Sequence, residues 1–144
     1  MLPRKWILAF ASICIGASTT VFAEAREGEP DPAKPTLRVH MLDIGQGDGL
    51  IVELPSGKKV LIDGGDGNNP YNKYDAGRDT ILPILNKMDI DRVDYVICTH
   101  PHADHIGGMI VLMRAMEVGT IYDSGLVYTS ETYRSMLKII ETNA

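Results

Sequence analysis

Thr99-His100-Pro101-His102-Ala103-Asp104-His105-Ile106-Gly107-Gly108 carries three of the four histidines in this chain. On its N-terminal side, residues 95–99 form a short apolar run that predicts a strand. On its C-terminal side, Ile106, Met109, Ile110 and Met113 fall at helical spacing. The segment therefore joins the end of a strand to the start of a helix, where α/β sheets tend to place their sites. Pro101 biases His100 toward an extended backbone. Residues two apart in an extended chain point the same way, so His100 and His102 can reach one metal ion. Asp104 and His105 follow the bend into the helix and are placed to serve a second. Imidazole with carboxylate suits zinc, with manganese and iron as alternatives. Two such ions about 3.5–4 Å apart can hold a bridging hydroxide and clamp a hydrolytic transition state. Polar residues sharing a loop by chance is the bland alternative, and four donors within six positions weigh against it.

The chain before this segment reads as strands. Residues 37–44 alternate and end at the turn Gly45-Gln46-Gly47-Asp48-Gly49. Residues 50–54, the turn at 55–58 and residues 59–63 complete an expected antiparallel meander. Residues 64–77 form a loop rich in Gly, Asn, Asp and Tyr. Ile81, Ile84, Leu85 and Met88 then predict an amphipathic helix capped by Asp79 or Thr80, with Pro83 tolerable in its first turn. After the histidines, a strand is expected near residues 120–122. Ser130 is placed to cap a third helix with Tyr133, Met136, Leu137 and Ile140 on its inner face. Strands first, then strand–helix alternation, indicate an α/β layer sandwich with a mixed sheet.

Residues 1–23 read as a secretory signal peptide. Arg4 and Lys5 precede an apolar run at 6–15, and Val21-Phe22-Ala23 supplies a cleavage site before Glu24. An uncleaved N-terminal membrane anchor is the alternative, although the apolar run is shorter than a spanning helix usually needs. A lipoprotein signal at Cys14 is disfavoured by Ile13. Cleavage would take 23 of 144 residues and leave 121, with Cys98 the sole thiol and no internal disulfide. The expected product is exported, periplasmic or extracellular, with no stable membrane insertion. Residues 24–35, with Pro30, Pro32 and Pro35, read as a linker, and residues 36–144 as one globular domain. A composition of 44% hydrophobic and 23% charged residues supports a packed fold. The net charge of -5 argues against a broad cationic nucleic-acid surface.

Four segments together resemble a known family. They are residues 41–48 (MLDIGQGD), 54–58 (LPSGK), 61–65 (LIDGG) and 98–108 (CTHPHADHIGG). In order and spacing they resemble the metallo-β-lactamase-fold hydrolases, and most nearly the hydrolase domain of DNA-uptake competence proteins and their stand-alone relatives. The resemblance implies half of an αββα sandwich and two divalent cations. It assigns His100 and His102 to the first ion, and Asp104 and His105 to the second. It makes Asp63 a supporting carboxylate behind the ligand loop and puts Gln46 and Asp48 near the site mouth. It further implies a hydrolase whose metal-activated water, oriented by Asp104, attacks a phosphodiester or ester bond in a small molecule or a nucleic acid.

The chain also departs from that family. No histidine follows His105, and the later carboxylates Glu117, Asp123, Glu131 and Glu141 sit in no matching motif. The sequence thus resembles the N-terminal half of such an enzyme, to be completed by a missing C-terminal half or by a second copy. The alternative function is an inactive or partner-dependent fragment that binds metal weakly. Other signals are weaker. Residues 45–49 lack the third glycine of a dinucleotide fingerprint, because Leu50 stands there and a strand follows. Asp66-Gly67-Asn68-Asn69 fails as a calcium loop at Pro70 and Gly77. Cys98 and the stripe Met109, Met113, Met116 read as core, His40 as an ordinary strand residue, and Arg38, Lys58 and Lys59 as solvated charges.

Overall fold

The computed structural model describes residues 34–67 and 73–143. The expected leader, nearly all of the expected linker, and Asn68, Asn69 and Pro70 of the rejected calcium loop lie outside the described residues.

Five strands form one mixed sheet in the order β1-β2-β3-β4-β5: β1 Arg38–Met41, β2 Leu50–Glu53, β3 Lys59–Ile62, β4 Arg92–Cys98 and β5 Glu117–Asp123. The first three pair antiparallel, as the short turns between them require, and β3, β4 and β5 run parallel. The parallel crossovers carry the helices, α1 Leu82–Lys87 and α2 Ala103–Ala115, and α3 Glu131–Asn143 follows β5. The fold is thus α/β, a five-stranded mixed sheet with three helices, consistent with half of an αββα sandwich.

Alternation along the strands separates two faces. Ile51, Leu61, Val96 and Cys98 are buried against Leu85, Met109, Leu112 and Met136 from the three helices. On the opposite face, Val39 and Met41 stand beside Val52 and Leu50, and the register continues through Val60 and Ile62 to Tyr95, Ile97 and Tyr122. That face is apolar and open at its ends, with Met41 84% exposed and Tyr122 53% exposed. At the β1 edge of the helical face, polar groups satisfy one another. The Glu53 carboxylate receives His40 Nε2 at 2.9 Å and Lys59 Nζ at 2.6 Å, so Lys59 is a paired charge and not the solvated one expected. Lys58 likewise donates to the Tyr95 hydroxyl at 2.6 Å.

The structure corrects several boundaries. The first strand stops at Met41 because residues 42–49 turn away toward the histidine loop. The fourth runs back to Arg92, whose guanidinium pairs with Glu117 on β5. The first helix starts earlier than a cap at Asp79 or Thr80 would allow. A π-turn, Gly77–Ile81, leads into α1, with the Leu82 N–H reaching Gly77 O. Pro83 has no N–H to continue an α-helical ladder, so a shifted register just before it spares a lost bond. Asp75 does the capping: its Oδ1 accepts the Arg78 N–H at 2.9 Å, while Asp79 Oδ2 accepts the Asp75 N–H at 2.9 Å. On α3, Ser130 Oγ accepts the Tyr133 N–H at 3.1 Å, as expected of a cap. The buried stripe there is Tyr133, Met136 and Ile139, with Leu137 turned to solvent, because α3 packs chiefly on α2.

Candidate metal centre

The C-terminal ends of β3 and β4 lie side by side, so the residues just beyond them meet. Asp63 follows β3 and Thr99 follows β4; the Asp63 N–H continues the ladder to Ile97 O at 3.0 Å. Asp63 adopts φ 54°, in the left-handed region where Asp is one of the few tolerated side chains. Its carboxylate, 2% exposed, accepts three hydrogen bonds. Thr99 N–H donates to Oδ1 at 2.9 Å, Thr99 Oγ1 donates to Oδ2 at 2.5 Å, and His105 Nδ1 donates to Oδ2 at 2.9 Å.

The backbone brings α2 onto this point. Gly64 N–H donates to His105 O at 2.6 Å and Gly108 N–H to Gly65 O at 3.1 Å. Gly108 also packs against Gly64 and Gly77 so closely that a methyl there would overlap backbone atoms of both. His102 is the extended residue that opens α2, and Asp104 and His105 occupy its first turn. The carboxylate of Asp104 at a helix N-terminus is favoured by the helix dipole.

Three imidazoles converge here. The ring centroids of His100 and His105 are 3.9 Å apart, and those of His100 and His102 are 4.6 Å apart. Donor atoms of Asp63, His100 and His105 lie within 4.8 Å of one another. Neither His102 nor Asp104 is part of that trio, and the Asp104 Oδ2 is turned to Gln46 Nε2 at 3.3 Å. Partial burial alone would raise the Asp104 carboxyl. The Gln46 hydrogen bond, a bond from its own backbone N–H, and the imidazoles of His105 and His102 outweigh burial and hold it below the usual carboxylate range. Asp48, largely exposed, places its Oδ2 3.8 Å from His105 Nδ1. Gly47, between Gln46 and Asp48, has φ 91° and lies against the Asp104 carbonyl, where any Cβ would collide. The glycine-rich turn thus sits directly on the histidine loop. His40 stands apart, on Glu53.

Two residues beside the candidate ligands carry no mark in the sequence pattern. Thr99 reads from sequence as a strand end, with its neighbour His100 the only local hint. Tyr128, between β5 and α3, brings its ring centroid to 5.3 Å from that of His102. Nothing in the sequence around Tyr128 signals that contact.

The donor chemistry fits a divalent cation. His105 and His100 each engage a neighbour through Nδ1, which leaves Nε2 facing away from those partners. A carboxylate-backed imidazole is the usual arrangement of a ligating histidine.

Comparison with known proteins adds two findings. The model of a family described as the metallo-beta-lactamase superfamily matches residues 42–138. ComE operon protein 3 of Bacillus subtilis (strain 168) is 34% identical over 89 residues, covering 56% of this chain and 12% of that protein. The chain therefore spans only a small part of the length of that relative.

Proposed function

The chain belongs to the metallo-β-lactamase superfamily, and from that premise we propose that it is a metal-dependent hydrolase acting on a phosphodiester or ester bond. The observation that carries this reading is the convergence of His100, His102 and His105 over the buried Asp63 at the ends of two parallel strands. His100, His102, Asp104 and His105 would hold two divalent cations, zinc first, with manganese or iron as substitutes. Such cations supply Lewis acidity that makes water nucleophilic near neutral pH and offsets charge developing on the substrate.

The chain's own groups then have separate tasks. Asp63 and Thr99 fix the imidazoles, so little reorganisation is needed when substrate arrives. Asp104, kept ionised well below neutral pH, accepts a hydrogen bond from the attacking water and orients it. Gln46 donates to that carboxylate and sets its direction. Tyr128 stands beside His102 at the rim, where substrate enters. A phosphodiester is favoured by the resemblance to competence proteins. The test is cleavage of bis(p-nitrophenyl) phosphate by the full chain with added zinc or manganese. His102→Ala should abolish turnover, and equal turnover by that variant would remove the proposal.

A partner-dependent reading rests on a different observation. Among the described residues Asp63, His100 and His105 form the one group of three or more donors close enough to share an ion, and the sheet face beyond them is apolar and open. On this reading a second αβ layer, from a second copy or a continuation, covers that face and supplies further donors. A dimeric mass with activity confined to the dimer would favour it. We also propose export, on the strength of residues 1–23. Among the described residues no helix is long and apolar enough to cross a membrane.

A further inference from the structure

We propose that Thr99 is a positioning residue that sets the tautomer of His100. Through Thr99, the single buried carboxylate of Asp63 prepares two imidazoles with the same nitrogen bare. Asp63 Oδ2 faces both Thr99 Oγ1 at 2.5 Å and His105 Nδ1 at 2.9 Å, while Oδ1 faces the Thr99 N–H at 2.9 Å. An ionised carboxylate has only acceptors to offer, so all three contacts are donations to it. A proton on Oδ2 donated to Thr99 Oγ1 would instead turn the hydroxyl hydrogen toward His100 Nδ1 and put the imidazole proton on Nε2, so the tautomer of His100 reports which of the two arrangements holds.

The hydroxyl of Thr99 has one hydrogen, and Asp63 takes it. Thr99 Oγ1 also lies 3.1 Å from His100 Nδ1. With its hydrogen committed, the hydroxyl can only accept there, so His100 carries its proton on Nδ1. His105 carries its proton on Nδ1 as well, donated directly to Asp63. Both rings therefore present Nε2 as a free lone pair, His105 by direct contact and His100 by relay through one hydroxyl. With no acceptor at Nδ1, His100 is released to protonate Nε2, the nitrogen a metal needs bare.

The relay rests on the metal-site reading for its purpose but not for its test, which begins on metal-free protein. Long-range proton–nitrogen NMR of the full chain, stripped with EDTA at a pH where the imidazoles are neutral, reports which nitrogen of His100 bears hydrogen. The expected result is Nδ1–H at His100 and His105 in the unaltered chain. Thr99→Val should move the His100 pattern toward Nε2–H and leave His105 unchanged, while Thr99→Ser should restore the original. Zinc affinity by competition with a chelating dye should fall about 10–100-fold in Thr99→Val and recover in Thr99→Ser. An unaltered chain with Nε2–H at His100 overturns the relay without recourse to any variant, as does a Thr99→Val pattern identical to the original. A relay seen by NMR in a chain that binds no zinc upholds the tautomer assignment and removes the metal reading instead.

Discussion

Cys98 ends β4 two residues before the first candidate ligand, yet its chemistry is that of a core atom. Its Sγ lies 3.4 Å from Met109 Sδ and 3.7 Å from Met136 Sδ. Burial, with the nearby charges of Asp123 and Asp63 adding to it, pushes the thiol up to about 12. The thiolate is the reactive form, so Cys98 should resist alkylation in the native chain. Iodoacetamide at pH 8, followed by peptide mapping, should leave Cys98 unmodified until denaturant is added; rapid native labelling would show the core is not closed there. At the same scale, Gly47→Ala places a methyl into the Asp104 carbonyl at a positive φ. It should lower stability by about 1–3 kcal/mol, measured by urea unfolding. It should also weaken zinc binding, because the turn that carries Gln46 must lift from Asp104. His100, His102, Asp104 and His105 were marked as candidate ligands by spacing alone. Thr99 was not, because its task depends on Asp63, 36 residues away, and on where a single hydroxyl hydrogen points.

The turn between β3 and α1 shows how an element is held by local charge. Arg78 donates from Nε and Nη2 to the two oxygens of Asp79, at 2.8 and 2.7 Å. These bonds, and then the Asp75 N–H, hold the Asp79 carboxyl down at about 2. Because the folded value lies below the unfolded value of about 4, the group contributes fully above that pH. The contribution is lost as pH falls from about 4 toward 2. Thermal melts across that window should show a shallower decline for Asp79→Asn than for the unaltered chain; parallel declines would refute the assignment. The strands and helices themselves followed from alternation and from 3.6-residue spacing. The π-turn did not, since it answers the missing N–H of Pro83, a consequence that apolar periodicity does not express. Spacing puts Leu137 on the inner face of α3 and the structure turns it to solvent, because periodicity marks an apolar stripe but not how narrow the supporting surface is.

Across the whole molecule, one sheet separates a closed core from an open apolar face. The core side is continuous from Ile51 to Met136. Met136→Ala should destabilise by about 2–5 kcal/mol, since that side chain is fully buried between α3 and β4. The opposite face should behave differently. Met41→Lys, at an exposed position, should change stability by less than about 0.5 kcal/mol. The same substitution should reduce any self-association measured by sedimentation, because it interrupts an exposed apolar patch. A large stability loss with unchanged association would mean the face is already covered within the chain. The mixed α/β architecture was readable from the order of elements, and the metallo-β-lactamase relationship from the four motifs.

The most direct test is the zinc content of the full chain after equilibrium dialysis, read by mass spectrometry beside His100→Ala and His105→Ala. The unaltered protein should retain stoichiometric zinc, and each variant should bind at least about 10-fold more weakly. Equal, trace zinc in all three proteins would contradict a metal centre at the ends of β3 and β4.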